Sequence, residues 1–156
     1  MNTYLAIKYV HVLSSTILFG TGLGTAFHMW MTHRTGDVRA IANASRLTVL
    51  ADTWFTTPAV VVQPLTGAAL IDIAGFGWQS WLIVAVILYV LAGACWVPVV
   101  WLQVRVRRLA AAALANGSAL PPTYFRYMRV WFALGWPAFI AVMLVFWLMV
   151  AKPTLW

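Results

Sequence analysis

The sequence has very little charge, and acids are the scarcest part of it. Only 8% of its 156 residues are charged, and the acids are three aspartates, Asp37, Asp52 and Asp72. A soluble domain carries roughly 25% charged residues, so a soluble globular chain is excluded. Hydrolysis by a carboxylate acting with a His or Ser is also excluded, because the three aspartates fall at different membrane depths. The lone cysteine, Cys95, rules out an intramolecular disulfide and a multi-cysteine metal site. In its apolar run it reads as a small packed hydrophobe. Histidine is equally sparse: His11, His28 and His33 all lie in or just after the first apolar segment. No positive n-region precedes that segment and no A-x-A-like site follows it, so it reads as a retained helix.

What is abundant is apolar. The chain is 63% hydrophobic, with ten Trp, five Tyr and eight Phe. A membrane-spanning helix needs about 20 predominantly apolar residues. Four segments qualify, at about 5–31, 48–73, 81–104 (its helix continuing to about 115) and 124–150. Polar "HRTGDVRAIANASR" reads as the first link, glycine-rich "DIAGFGWQS" as a short turn, and "NGSALPPT" as a helix-breaking loop. The expectation is an all-α, single-domain transmembrane four-helix bundle in contact with lipid.

The net charge of +7 is a topology signal in such a chain. Arg34, Arg39, Arg46, Arg105, Arg107, Arg108, Arg126 and Arg129 flank the first and third connections, against Lys8 and Lys152 at the opposite side. Basic residues concentrate on the cytoplasmic side. Both termini are therefore expected on the outer, periplasmic side of a bacterial inner membrane. Nucleic acid is not an expected partner. Trp30, Trp54, Trp101 and Trp131 are placed in an inner interfacial belt, and Trp78, Trp81, Trp147 and Trp156 in an outer one. Trp96 and Trp136 fall deeper, as packing residues. Asp52, near the inner boundary, is expected to pair with Arg126 or Arg129, since an unpaired charge there is costly. "GTGLG" lies inside an apolar helix with no strand before it, which removes it as a phosphate loop.

On a helix of 100° per residue, His11, Ser14, Ser15, Leu18, Gly22, Thr25 and Met29 share one stripe of mostly small or polar residues. Lipid favours large apolar side chains, so this stripe should face the bundle. Gly20 and Gly24 form a G-x-x-x-G that admits a close helix neighbour, in a homodimer or a larger membrane complex. The small residues also make room for a flat cofactor, which puts Ser15 and Gly22 beside it. His11 lies about two turns inside the membrane. An ionisable group there is a functional candidate by default, and neutral imidazole is the commonest metal ligand. His28 and His33 are expected at the inner boundary, solvated. Pro58, Pro64, Pro98 and Pro137 free helix carbonyls that neighbours must satisfy. Tyr89 and Gln103 are candidate cavity-lining residues.

The opening "KYVHVLSSTILFGTGLG", the second-span "WFTTPAVVVQPLTGAAL" and the closing "FRYMRVWFALGWPAFIAVMLVFWLMVAKP" resemble the four-helix membrane proteins grouped with HemJ, the haem-containing protoporphyrinogen oxidase. They also resemble CopD-like copper-resistance membrane domains. The chain looks closest to an uncharacterised predicted integral membrane protein family in that group. The resemblance implies a b-type haem on the bundle with His11 as its associated histidine, serving electron transfer or a HemJ-like redox step. The sequence departs from HemJ where "AGACWVPVVWLQVRVRR" has no third-helix histidine, "WLIVAVIL" no lysine and "LGWPAF" no acid. The polar groups that would handle a tetrapyrrole or its protons are largely missing, so the resemblance carries the fold further than the enzymatic step. A cytochrome iron usually takes two axial ligands, His/His or His/Met. Met143, expected at the depth of His11, is the intrachain candidate. A second His11 across a twofold axis is the intermolecular one, and a five-coordinate haem is the third case. The copper reading would use His11, Met143 and Met149, since Met and His suit Cu(I).

Overall fold

The computed structural model describes residues 2–75 and 77–156. Helix α1 spans Thr3–Thr35, α2 Val38–Ala51, α3 Thr57–Ala74, α4 Ser80–Ala115 and α5 Pro122–Ala151, with a π-helical turn at Asp52–Thr56. The described residues contain no strand. Helix α2, the π turn and α3 run on as one rod, Val38–Ala74, so four rods result, each long and apolar enough to cross a membrane. The expected all-α, four-helix architecture is the observed one. Only 6–17% of each rod's most apolar window is buried. Large apolar side chains such as Leu65, Val90 and Val150 point outward instead, a surface suited to lipid.

The expected first link is mostly helix. Gly36 closes α1 in a left-handed conformation (φ 70°), its N–H bonding to the His33 carbonyl. The Asp37 side chain then caps α2, accepting from the Arg39 N–H at 2.9 Å. Two residues suffice for the reversal. The polar character of the segment belongs to the outer side of α2, whose inner side buries Ile41, Ala42, Ala44, Ser45 and Thr48.

The π turn has a proline behind it. Pro58 has no N–H for the Trp54 carbonyl, and its ring crowds that oxygen. The rod widens ahead of it: the Thr57 N–H bonds five residues back to Asp52, and the Thr57 hydroxyl donates to the same carbonyl at 2.8 Å. Pro64 likewise frees the Val60 carbonyl, and Tyr89 of α4 donates to it at 2.6 Å. A proline in one rod thus becomes a tie to another.

Packing is uneven. At the arginine-rich end, Met29, Ile41, Val99, Leu102, Val106, Tyr124, Met128 and Trp131 form a continuous core. Trp131 belongs to this core, being only 6% exposed, and not to an interfacial belt; Trp136 is 63% exposed and faces outward rather than packing. At the end holding the termini, the buried cluster is small: Trp81, Leu82, Ala85 and Leu148. Between the two, Phe19 of α1 meets Phe139 and Phe146 of α5 at centroid distances of 5.2 and 5.3 Å.

Candidate functional site: a polar seam ending at His11

The Val38–Ala74 rod carries a line of polar residues along its inner face. Ser45, Thr48, Asp52, Thr56 and Gln63 are all buried, and Thr66 continues the line half-buried. Their spacing of three, four or seven residues keeps them on one side of a helix. From Ser45 to Thr66 the line covers about 31 Å at 1.5 Å per residue, close to the roughly 30 Å of a bilayer's hydrocarbon core. Polar groups placed inside a membrane are costly and mark functional positions by default.

His11 sits at one end of this seam. Its Nδ1 lies 2.8 Å from the Thr66 hydroxyl oxygen. That hydroxyl has one proton, which it donates within α3 to the Val62 carbonyl at 2.7 Å, with the Gln63 carbonyl at 3.2 Å as a second acceptor. With that proton kept within α3, the oxygen accepts from His11, and the imidazole then carries its proton on Nδ1 and keeps a lone pair on Nε2. Among the described residues Nε2 makes no hydrogen bond. The backbone around the ring is fixed as well. Gln63 donates to the His11 carbonyl at 2.9 Å, and Ser14 donates to it at 3.1 Å. Gly67 forms the wall beside the ring: a methyl group there would meet His11 Cε1 at 3.4 Å.

The other candidate residues are distributed unevenly. Ser15 shares the side of α1 that holds His11, and its hydroxyl donates to the Val12 carbonyl at 2.7 Å. A Cβ added at Gly20, Gly22 or Gly24 would meet nothing within 4 Å. Met143 is 47% exposed. Phe19 stacks between Phe139 and Phe146, which sets the Met143 level of α5 beside Phe19. His11 is eight residues from Phe19, about 12 Å along the axis. Met143 therefore lies about two turns deeper than His11, not level with it. Met149, nearer in depth, packs against the Trp81 cluster.

The remaining ionisable groups depart from expectation. Asp52 does not use an arginine. It is 5% exposed, its carboxylate accepts from Thr56 at 2.8 Å, and the Gln103 side chain of α4 lies close enough to favour its charged form. Arg126 and Arg129 are exposed on α5. A widened turn brings hydroxyl and amide donors to the carboxylate where a charge-pairing argument anticipates guanidinium. His33 is more than a solvated end group: its Nδ1 lies 3.1 Å from the hydroxyl of fully buried Tyr124, joining α1 to α5. His28 is exposed and lines a cleft of about 630 Å³ with Gly24, Thr25, Thr48, Trp54 and Phe55. Among the described residues no three His, Cys, Asp or Glu side chains come together.

Gln63, Thr66 and Gly67 were not anticipated as site residues. Their signal is their spacing, a polar or small residue at i, i+3 and i+4 within an apolar run, matching the polar stripe of the first span.

Four apolar rods with buried polar seams define an integral, multi-pass membrane protein. Residues 5–153 match the family described as predicted integral membrane protein (DUF2269), and the chain belongs to that family. No curated protein and no solved structure matches the chain.

Proposed function

We propose that this protein is an electron-transfer or redox subunit of the bacterial inner membrane that holds a b-type haem through His11, with both termini on the periplasmic side. The observation that carries the reading is the hydrogen-bonded state of the ring. Thr66 holds Nδ1 at 2.8 Å; with the Thr66 proton kept within α3, this contact orients the imidazole and leaves Nε2 as a lone-pair donor. Ligating histidines have this arrangement, with the far nitrogen held by a neighbouring acceptor. Bound haem would supply reversible one-electron chemistry. The chain's own part is narrower. His11 would hold the group, Thr66 and Gln63 orient the ring and its backbone, and Gly67, with no side chain, lets α3 lie against the ring. Met143 lies about two turns deeper than His11, so within one subunit His11 alone would hold the group, and a second His11 across a twofold axis would be the intermolecular partner. The arginine-flanked end supports the orientation.

A second reading has its own observation. Gly20 and Gly24 form an uncovered small-residue face on α1, suited to a close helix neighbour. On that reading the chain is a cofactor-free scaffold that packs against itself or a larger complex.

Absorption spectroscopy of protein purified from haem-replete cells separates the readings. A Soret band with an α band that sharpens on dithionite reduction is expected. A colourless, metal-free preparation leaves the scaffold, and a colourless preparation with stoichiometric copper leaves CopD-like copper handling. A phosphatase fused to the C-terminus should be active only if that end is periplasmic.

A further inference from the structure

One exposed face of α4 changes character along its length. Val90, Ala94, Val97, Trp101, Arg105 and Arg108 follow one another at steps of three or four residues, and all six are exposed. Such steps keep them on one side of a helix. The first part is apolar, and Val90 and Val97 are each 63% exposed. From Val90 to Trp101 is about 16 Å at 1.5 Å per residue. That is about half of a hydrocarbon core of roughly 30 Å, or one leaflet. Trp101 then falls where indole rings meet the headgroups, and the two arginines follow directly beyond it.

Arg105 is held in place. Its guanidinium carbon lies 5.1 Å from the Trp101 ring centroid, and that ring meets Tyr127 of α5 edge-on at 5.8 Å. A guanidinium stacked on an aromatic face keeps its N–H donors free at its edge, in the fork that matches a phosphate. Arg108 stands one turn further on. No acid of the chain serves either arginine. Asp37 caps α2, Asp52 is buried in its turn, and Asp72 lies in the last turn of α3, at the opposite end of the bundle. The counter-charge for this face must come from outside the chain.

We infer that this face binds an anionic phospholipid of the leaflet at the arginine-rich end, its phosphate on Arg105 and Arg108 and an acyl chain along Val97 and Val90. Apolar, aromatic and cationic positions follow along α4 in the order of such a lipid, from chain to headgroup. A free phosphate or an acidic protein segment would match the arginines alone and leave Trp101 and the valines without a counterpart. The site does not depend on a haem at His11, which lies in the other half of the bundle.

The test uses the full chain in a mild detergent, titrated with dioleoyl phosphatidylglycerol and with dioleoyl phosphatidylcholine. Native mass spectrometry counts lipid-bound and free protein. The wild type should bind phosphatidylglycerol more tightly. That preference should fall about 30-fold in Arg105→Gln/Arg108→Gln, the loss expected for two arginines at an anionic surface. Arg34→Gln/Arg39→Gln removes the same charge from exposed positions on α1 and α2 and should keep the wild-type preference. No preference in the wild type overturns the inference. Equal losses in the two double variants also overturn it, since the attraction would then be diffuse. Excess inorganic phosphate or a polyglutamate peptide should leave the lipid bound; displacement by either would contradict a phospholipid site. If the first double variant does not accumulate, Trp101→Leu serves instead. It keeps both charges but releases Arg105 and should still lower the preference; an unchanged preference would count against the proposal.

Discussion

The two halves of the bundle are built differently. At the arginine-rich end, side chains from α1, α2, α4 and α5 close around Ile41, Val106 and Tyr124, which are at most 2% exposed. At the end holding the termini, α1 meets α3, α4 meets α5, and the pairs are joined by the Phe19 contacts and the Tyr89–Val60 bond. In the first half, polar groups serve cohesion: His33 holds Tyr124, and Asp52 is satisfied within its turn. In the second, His11 is held on one ring nitrogen by Thr66 and lies against Gly67. A tightly packed half reads as scaffold. The loosely packed half, which holds His11, is where the proposed cofactor would sit.

Four substitutions test this contrast. The largest effect is expected from His11→Ala, which should abolish haem retention, read as the Soret absorbance per mole of protein, while leaving the fold intact. Ile41→Ala, in the other half, should cost about 2–5 kcal/mol of stability, the usual range for emptying a buried site. Thermal unfolding in detergent checks it, with half-exposed Leu13→Ala as a control of small effect. Equal costs would erase the difference in packing. Thr66→Val removes the hydroxyl that holds Nδ1 and should weaken haem retention about 10–100-fold, the usual consequence of losing such an orienting partner. Competition with apomyoglobin measures it. Gly20→Leu should have the smallest effect on folding, since nothing lies within 4 Å. If that face binds another helix, however, sedimentation should show dissociation of the complex. An unchanged oligomeric state would remove the scaffold reading's support.

The sequence made the coarse structure legible because membrane spans depend on length and hydropathy, both local properties. The ends of α1 and α2 were harder, because Gly36 and Asp37 reverse the chain in two residues inside a stretch whose mean polarity resembles a loop. His11 stood out as a lone ionisable group in an apolar run. Thr66 did not, because its meaning comes from a contact 55 residues away. Asp52 was misassigned an arginine partner: the charge argument was sound, but the π turn supplied nearer donors. The depth of Met143 turned on the Phe19 contacts, and helix order alone does not fix the sliding of one rod along another.

The most direct measurement is a reduced-minus-oxidised spectrum of the protein in native membrane extract, recorded for the wild type and for His11→Ala at equal protein. The account predicts a b-type α band in the first and none in the second. A band of equal size and position in both would show that His11 does not hold the iron.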